Sequence, residues 1–321
     1  MTDRYLEAIE DYLTPIIPQK PPVNLYEPVR YILSSGGKRI RPVLVMLAAE
    51  GYGFERADAL PAAAAIEIFH NFTLLHDDIM DHAKLRRGKP TVHIRWDPNI
   101  AILSGDAMVY LAQQQLEHYQ GETYKALQTL FNRTALEICE GQQEDMDFEK
   151  INRVSVSQYM EMIRKKTAVL LGTSLAFGAI LAGCEANERE LLYQIGIKTG
   201  LAFQMMDDWL DTFGDESFGK KTGGDIRESK KTVLYVKTLE LLNESEKKRF
   251  IEDYTSDWSD EQAKIDYFRG LFEKTGVKEK VLENITELSQ TIIAKIEQTR
   301  LQSVHQAMLK TLIRKLSRRQ K

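Results

Sequence analysis

The chain contains the pattern Asp-Asp-x-x-Asp twice, each time within a stretch of apolar residues at helical spacing. The copies span Asp77–Asp81 and Asp207–Asp211. Residues four apart on a helix share one face, so the outer carboxylates of each copy lie roughly 6 Å apart along the axis and repel each other unless a cation lies between them. One such copy is more typical of a solvated acidic face. Two copies at the same spacing predict facing helices that hold Mg²⁺, a cation that prefers oxygen ligands, around one diphosphate.

Composition restricts the class of protein. Of 321 residues, 43% are hydrophobic and 28% are charged, as in a globular protein with a sizeable core. The formal net charge of −4 provides no electrostatic case for nucleic acid as a partner. Cys139 and Cys184 lie in apolar helical contexts, which predicts two buried thiols and no disulfide framework. The N-terminus is charged at once and is not a secretory signal, so we expect a cytoplasmic protein.

Hydrophobic periodicity predicts an all-α fold. Apolar residues recur at helical spacing along the chain, and no alternating strand pattern with hairpin signals is present. Without a solenoid-type repeat, a low-complexity tract or a clear linker, we expect one domain over residues 1–321. The most apolar segment, Thr167–Gly183, reaches only the lower limit for a membrane span. A helix buried inside a helical protein fits this segment better, so we do not expect an integral membrane protein.

Basic residues near the first motif are candidates for binding anions. In the segment Gly36–Arg41, a glycine pair precedes Lys38 and Arg41. The glycines either let the backbone approach a ligand or form an ordinary helix C-cap followed by surface charges. The pair Arg86-Arg87 offers forked donors that match phosphate oxygens.

Other polar residues lie inside apolar runs. His70 lies two turns before Asp77 on about the same face; such a histidine is more often a satisfied core residue, but the acidic face favours a position facing the same cavity. The segment Gly141–Asp145 places polar groups inside a helical run. The segment Arg164–Thr167, just before the most apolar helix, is either solvated surface or the mouth of an anion-binding pocket.

A glycine-rich segment follows the second motif. The run Gly214–Lys220 imitates the phosphate-binding loop Gly-x-x-x-x-Gly-Lys. A nucleotide-binding loop is disfavoured, because Lys221 stands where Ser or Thr is required and a helix precedes the run instead of a strand. We still expect this loop, with Lys220, Lys221 and the later Lys230, to close over a phosphate.

These motifs, in this order along nearly the whole chain, resemble the trans-isoprenyl diphosphate synthases, or polyprenyl synthetases. The matching motifs are Gly36–Pro42, Asp77–Asp81 with Arg86–His93, Lys166-Thr167, Gln204 with Asp207–Asp211, and Gly219–Asp225. The resemblance implies a bundle of antiparallel helices around a deep central cavity, usually assembled as a homodimer. It also implies isopentenyl diphosphate and allylic diphosphates as substrates and Mg²⁺ as the cofactor.

Family roles then fall on particular residues. Three Mg²⁺ ions are implied to bind Asp77, Asp81 and Asp207, with Asp78, Asp208 and Asp211 as supporting members. The implied ligands of the allylic diphosphate are Arg86, Lys166, Thr167, Gln204, Lys220, Lys221 and Lys230, and the register of Lys220 against Lys221 stays open. The implied ligands of isopentenyl diphosphate are Lys38, Arg41, His70 and Arg87. The implied catalytic set is Asp77, Asp81, Arg86, Lys166, Asp207 and Lys220.

The resemblance also bears on product length. In this family, bulk at the fifth residue before the first motif acts as a floor for the growing chain, and here that residue is Phe72. Helix geometry alone puts Phe72 about 140° from Asp77, so the floor role depends on the resemblance. The implied product is geranylgeranyl diphosphate (C20), farnesyl diphosphate (C15) is the alternative, and products of C30 and above are disfavoured.

Two other functions are compatible with parts of the pattern. A class I terpene cyclase shares an aspartate motif and Mg²⁺ but does not need the second basic set, which includes Lys38, Arg41 and Arg87. A non-catalytic subunit of a heteromeric synthase is the alternative from a different class. Such subunits tend to lose aspartates, whereas both motifs are intact here.

Overall fold

The structure is a computed structural model that describes residues 3–214 and 222–318, so Lys220 and Lys221 lie outside the described residues. The first helices are α1 (Asp3–Ile16), α2 (Val23–Leu33), α3 (Ile40–Gly51), α4 (Arg56–Met80), α5 (Val92–Arg95) and α6 (Pro98–Leu116). The next are α7 (Gly121–Glu149), α8 (Val156–Ile163), α9 (Val169–Leu181) and α10 (Ala186–Phe213). The last are α11 (Gly224–Arg227), α12 (Val233–Leu241), α13 (Glu244–Thr255), α14 (Glu261–Lys274), α15 (Val277–Glu297) and α16 (Ser303–Arg318). The predicted all-α fold is confirmed.

The described chain forms two compact units. The first unit consists of residues 3–132, 170–193 and 299–309. The second consists of residues 133–169, 194–298 without 215–221, and 310–318. The first aspartate motif belongs to the first unit and the second motif to the second unit. A single domain over residues 1–321 stays a prediction.

The first unit is built around α4. Small residues Ala62–Ala65 are completely buried, and helices α3 and α6 pack against α4. In the same unit, α9 approaches α3 closely, because a Cβ at Gly178 would lie 2.5 Å from the Val45 carbonyl oxygen. The buried apolar face of α4 extends to Leu75, so the first aspartate motif begins where this core ends.

A short hairpin follows α4. The helix ends at Met80, and His82 adopts a left-handed conformation with φ 50°. Strands β1 (Leu85–Arg86) and β2 (Lys89–Pro90) then pair in an antiparallel ladder. Arg87 and Gly88 both have positive φ, as the two central residues of a tight hairpin turn do. The expectation of no hairpin is therefore wrong here, because two-residue strands are too short to show an alternating pattern.

The second unit places α8 beside α12 and packs α15 against α12 and α14. Helix α8 begins with a capping box formed by Ser155 and Gln158. Between α8 and α9 the chain forms one π-helical turn, Arg164–Ala168, which is called the π turn below. Such turns are rare and occur frequently at functional sites. The turn carries Lys166 and Thr167, two residues of the predicted site.

Burial tests two of the remaining expectations. Every residue from Ala168 to Leu181 is buried, as expected for an apolar helix inside a helical protein. None of the helices in the described ranges is both long enough and apolar enough to cross a membrane. The prediction of two buried thiols is wrong, because Cys139 is exposed and Cys184 is half-buried. Cys139 lies on an exposed face of α7, and the residues around it in the sequence do not distinguish that face from a buried one.

Candidate active site

The middle aspartate of the first motif points inward and meets a cation. Asp78 is buried, and the Arg86 side chain donates from Nε to both carboxylate oxygens at 2.9 Å. The Arg86 Nη2 atom lies 2.8 Å from Oδ1 of the same carboxylate. Burial raises the pKa of Asp78, and the hydrogen bonds from Arg86 oppose that rise. The chain thus reverses just after α4, where His82 has a positive φ, and strand β1 places Arg86 against a residue of the motif.

The outer aspartates of the first motif lie closer to solvent. Asp77 is half-buried and Asp81, the C-cap residue of α4, is exposed. In the part of the chain that the structure describes, no group of three or more His, Cys, Asp or Glu side chains is arranged to hold a metal ion. Two outer carboxylates per motif nevertheless fit Mg²⁺, which commonly takes one or two protein carboxylates and completes its octahedron with substrate phosphates and water.

The glycine pair before Lys38 accommodates an arginine. Helix α2 is capped at Ser34, so Gly36 and Gly37 are not its C-cap. The Arg87 guanidinium donates to the Gly36 carbonyl oxygen, and a Cβ at Gly37 would lie 2.9 Å from the Arg87 nitrogens. A side chain at Gly37 would therefore displace Arg87. The structure brings Arg87 against the loop that carries Lys38.

Two further predicted anion ligands are in contact. The Arg41 guanidinium donates to Nε2 of His70 over 3.0 Å. Burial lowers the pKa of His70 well below its ordinary value, and Arg41 adds the largest electrostatic contribution in the same direction. His70 is therefore neutral and accepts the hydrogen bond. The imidazole is neither an isolated core residue nor a cation but the partner that orients Arg41.

Arg39 holds this loop in place and was not among the predicted site residues. It adopts a left-handed conformation with φ 45° and is 3% exposed. Its guanidinium donates to Glu67 at 2.7 Å and to Glu10 at 2.6 Å. Asn71 also donates to the Glu67 carboxylate, at 2.9 Å. The sequence does contain a signal, because Glu67 lies in an otherwise apolar buried run of α4 and requires a cationic partner.

The middle aspartate of the second motif is held by neutral donors. Asp208 is buried and accepts from the Tyr159 hydroxyl at 2.6 Å, from the Val233 backbone N–H at 2.9 Å and from Gln204 Nε2 at 3.0 Å. Burial raises the pKa of Asp208, and these hydrogen bonds oppose the rise. The Gln204 amide oxygen accepts from Thr167 at 3.1 Å. Gln204 therefore links the second motif to the π turn.

The last aspartate of the second motif is joined to a further acid. Asp211 accepts from the backbone N–H of Asp225 at 2.9 Å. Burial raises the pKa of Asp225, and Asp208 and Asp211 add to the rise. The Asp225 carbonyl oxygen accepts from the backbone N–H of Lys230, a predicted site residue. Asp225 belongs to a matching motif but is not among the predicted site residues. Its contact with Asp211 places it beside the second motif.

The π turn is fitted between two glycines of the second unit. A Cβ at Gly141 of α7 would lie 2.3 Å from the Lys166 backbone nitrogen, and one at Gly200 of α10 would lie 2.4 Å from the Ala168 Cα. The Lys166 ammonium lies 2.5 Å from an Asp145 carboxylate oxygen. The two polar runs of the sequence, Gly141–Asp145 and Arg164–Thr167, are therefore neighbours.

Comparison with known proteins identifies the family. A family model described as polyprenyl synthetase matches residues 22–270. The chain belongs to the polyprenyl synthetase family. It is 42% identical over 239 residues to a geranylgeranyl diphosphate synthase of Methanosarcina mazei, covering 74% of this chain and 73% of that one. It is 43% identical over 232 residues to a short chain isoprenyl diphosphate synthase of Methanocaldococcus jannaschii, covering 71% and 70%.

A solved structure agrees over the full length. A crystal structure of a geranylgeranyl pyrophosphate synthase matches with a TM-score of 0.94 and 44% identity, and the match covers 100% of this chain and 99% of that one. The all-α isoprenoid synthase fold is therefore shown. Dependence on Mg²⁺ is general in this family.

In this polyprenyl synthetase, the predicted chain-length residue belongs to a packed aromatic row in the first unit. Phe72 lies 4.7 Å from the His76 ring and 5.3 Å from Phe69, measured between ring centroids, and Phe69 lies 5.0 Å from Phe131. His76 in turn packs on α6, because a Cβ at Gly105 would lie 2.3 Å from its Nε2 atom. The ring of Phe72 is thus held by neighbours on both sides, and these four aromatic residues are called the aromatic row below.

Proposed function

We propose that this polyprenyl synthetase makes geranylgeranyl diphosphate by adding isopentenyl diphosphate to shorter allylic diphosphates. Two observations support this product: the M. mazei relative is named a geranylgeranyl diphosphate synthase, and Phe72 lies five residues before the first motif. Farnesyl diphosphate is the alternative product. The M. jannaschii relative, named only as a short-chain enzyme, supports the same product class.

The allylic diphosphate binds to the two aspartate motifs, through Mg²⁺, and to one set of basic and polar side chains. Asp77, Asp81 and Asp207 bind three Mg²⁺ ions, and Asp78, Asp208 and Asp211 support them. The basic and polar ligands are Arg86, Lys166, Thr167, Gln204, Lys220 or Lys221, and Lys230. Burial supports this division between Mg²⁺ ligands and supporting residues. Asp78 and Asp208 are held inside the protein, while the outer aspartates of each motif lie nearer to solvent.

Isopentenyl diphosphate takes a second basic set: Lys38, Arg41, His70 and Arg87. The contacts of Arg41 with His70 and of Arg87 with the glycine pair support this assignment. They orient two guanidinium groups, whose fork geometry matches a diphosphate. Separate basic sets keep the two substrates from competing for the same charges. A terpene cyclase, which has one substrate, has no use for the second set.

The reaction follows from the charges on the chain. Mg²⁺, which the outer aspartates of the two motifs would hold, would neutralise the charge of the diphosphate leaving group. Arg86, Lys166 and the lysine of the glycine-rich loop stabilise the negative charge that develops as the allylic C–O bond breaks. The basic set around Arg41 holds the double bond of isopentenyl diphosphate against the carbocation, and a new C–C bond forms. The released diphosphate takes up the proton that is lost, so no side-chain base is required.

Phe72 limits the product by occupying the space that a longer chain would need. Its place in the aromatic row supports this role, because neighbours on both sides prevent the ring from swinging away. The test is to incubate the protein with Mg²⁺, labelled isopentenyl diphosphate and dimethylallyl, geranyl or farnesyl diphosphate, and to size the dephosphorylated alcohols. We expect mainly C20 from wild type and longer alcohols from Phe72→Ala.

Each other outcome of this test has a definite meaning. A stop at C15 would make farnesyl diphosphate the product. Products beyond C25 from wild type would contradict the floor role of Phe72 but not the synthase activity. A wild-type protein inert with every allylic primer would favour the alternative from a different class, a non-catalytic subunit of a heteromeric synthase.

We further propose a cytoplasmic homodimer. Exposed apolar side chains at Ile102, Leu103 and Tyr110 support self-association, since they lie on one face of α6 at spacings of seven and eight residues. Light scattering of the purified protein measures the mass directly. A dimeric wild type and a largely monomeric Tyr110→Glu variant are expected. A monomeric wild type would contradict the proposal.

A further inference from the structure

Three ion pairs connect α7 to the π turn, all within the second unit. Arg164 Nη1 lies 2.7 Å from Glu137, Lys165 Nζ lies 2.6 Å from Glu144, and Lys166 Nζ lies 2.5 Å from Asp145. The close approach of Gly141 to the Lys166 backbone brings the two segments near enough for these pairs to form.

The three pairs differ in what else they contact. Arg164 and Lys165 each have two carboxylate partners; for Lys165 these are Glu144 and Glu140, the second at 3.2 Å. Lys166 pairs with Asp145, and the residue after Lys166 contacts the second aspartate motif through Gln204. Of these three cations, Lys166 is thus the one next to Thr167, the residue linked to the second aspartate motif.

We propose that Asp145 is an exchangeable counter-ion: it holds the Lys166 ammonium until the allylic diphosphate arrives, and the diphosphate then displaces it. This inference rests on the proposed function, in which Lys166 binds that substrate. Asp145 touches no substrate in this scheme. It is a positioning residue that acts through Lys166 and lowers the affinity for the allylic substrate by competing for the same charge.

Exposure distinguishes this pair from a permanent one. The side chains of Lys166 and Asp145 are 26% and 34% exposed, whereas those of the Arg39–Glu67 pair are 1% and 3% exposed. An ion pair in contact with solvent changes an equilibrium constant by up to about fivefold. A diphosphate carries more charge and more acceptor oxygens than one carboxylate, so it can displace Asp145. The same exchange at the buried pair would leave Arg39 without its structural partner.

The test compares Asp145→Asn with Glu144→Gln, which removes the matching carboxylate from Lys165 one residue away. The measured quantity is the dissociation constant of farnesyl thiolodiphosphate, whose C–S bond resists ionisation, at fixed Mg²⁺ concentration by calorimetry. We expect Asp145→Asn to tighten binding about two- to fivefold and Glu144→Gln to leave it unchanged. In steady state, Asp145→Asn should lower the KM for the allylic substrate and leave the KM for isopentenyl diphosphate unchanged.

Two more variants separate counter-ion exchange from a structural role. In a Lys166→Met background, Asp145→Asn should have no further effect on binding, because the ammonium for which it competes is gone. Asp145→Glu keeps the carboxylate and should retain the wild-type affinity. Tighter binding that persists without Lys166, equal tightening by Glu144→Gln, or weaker binding by Asp145→Asn would each overturn the inference.

The proposed function can fail separately. If wild type binds the thiolodiphosphate and Lys166→Met weakens that binding while Asp145→Asn changes nothing, only the inference is overturned. If wild type neither binds the probe nor forms product, the proposed function fails and the inference falls with it. Thermal melting of each variant confirms that it folds; should Asp145→Asn not fold, Asp145→Ser is measured in its place with the same expected result.

Discussion

The two aspartate motifs share one sequence pattern but neutralise their buried middle aspartates differently. Asp78 in the first motif is held by the guanidinium of Arg86, a full positive charge. Asp208 in the second motif is held by three neutral donors, from Tyr159, Val233 and Gln204. The same helix spacing therefore places an inward carboxylate in both units, and the surroundings decide whether a charge or dipoles stabilise it.

The two motifs therefore depend on different contacts. A carboxylate held by one cation loses most of its stabilisation when that cation is removed, because a buried charge without a partner is costly. A carboxylate held by three hydrogen bonds loses about a third of its donors when one is removed. The first motif should therefore be sensitive to a single substitution and the second tolerant, although the outer aspartates of both are proposed to serve the same reaction.

Removing an outer aspartate should have the largest effect, and it tests whether the outer aspartates of the two motifs contribute equally to kcat. Asp77→Ala and Asp207→Ala should each lower kcat by about 10²–10³-fold, because each removes stabilisation of the developing charge on the diphosphate. The measurement is kcat at saturating substrates and Mg²⁺. Asp266→Ala, on an exposed position of α14, is the control and should keep wild-type activity. Loss of activity in only one of the two motif variants would break the equivalence.

Removing the cation from the first motif gives the next largest effect. Arg86→Met should lower the free energy of unfolding by about 2–3 kcal/mol, less than for a fully buried pair because Arg86 is partly exposed. Denaturant unfolding measures this change. Adding Asp78→Asn to the same variant should restore much of the loss, since no buried charge then remains. A stability close to wild type for Arg86→Met would remove the basis of the comparison.

Removing one donor from the second motif should cost less. Tyr159→Phe deletes the hydroxyl that donates to Asp208 and leaves the Val233 and Gln204 donors in place. The expected loss in the free energy of unfolding is about 1 kcal/mol. The same substitution in an Asp208→Asn background should cost less again. A loss as large as that of Arg86→Met would show that the two motifs are not held differently.

The smallest effect is a pH dependence confined to the first unit. Burial and Arg41 lower the pKa of folded His70, so the folded protein keeps it neutral while the unfolded chain takes up a proton near pH 6.5. Stability is therefore lost as pH falls below about 6.5, and His70 should cost about 0.7 kcal/mol between pH 7 and pH 6. His70→Gln should remove this part of the slope in denaturant unfolding at the two pH values. His118→Gln controls for the loss of an imidazole elsewhere, and an unchanged slope in His70→Gln would contradict the assignment.

The sequence predicts the aspartates well and their partners poorly. Helical spacing depends only on the chain itself, so the pair Asp77 and Asp81 could be placed on one face in advance. The partner of Asp78 arrives through the chain reversal after α4, where His82 has a positive φ that no hydrophobic period encodes. The all-α class and the buried α9 helix followed from apolar spacing in the same way as the aspartates did.

The π turn marks the other limit of prediction. A π turn has no distinct residue pattern, so the sequence gives no sign that the segment Arg164–Thr167 departs from an ordinary helix. Its position depends on Gly141 and Gly200, which lie 25 and 32 residues away from Lys166 and Ala168 in the chain. Contacts between segments so far apart in sequence could not be inferred from either segment alone. Lys220 and Lys221 lie outside the described residues, and their register stays open.

The aromatic row also affects how such an enzyme changes over evolution. Phe72 is packed between Phe69 and His76, so a mutation that shrinks it removes packing; under the proposed floor role it opens space for a longer product at the same time. Under the proposed floor role, a lineage can shift to longer isoprenoids only while it has stability in reserve, or together with a compensating change at a neighbouring ring. The proposed role thus links product range to thermal tolerance.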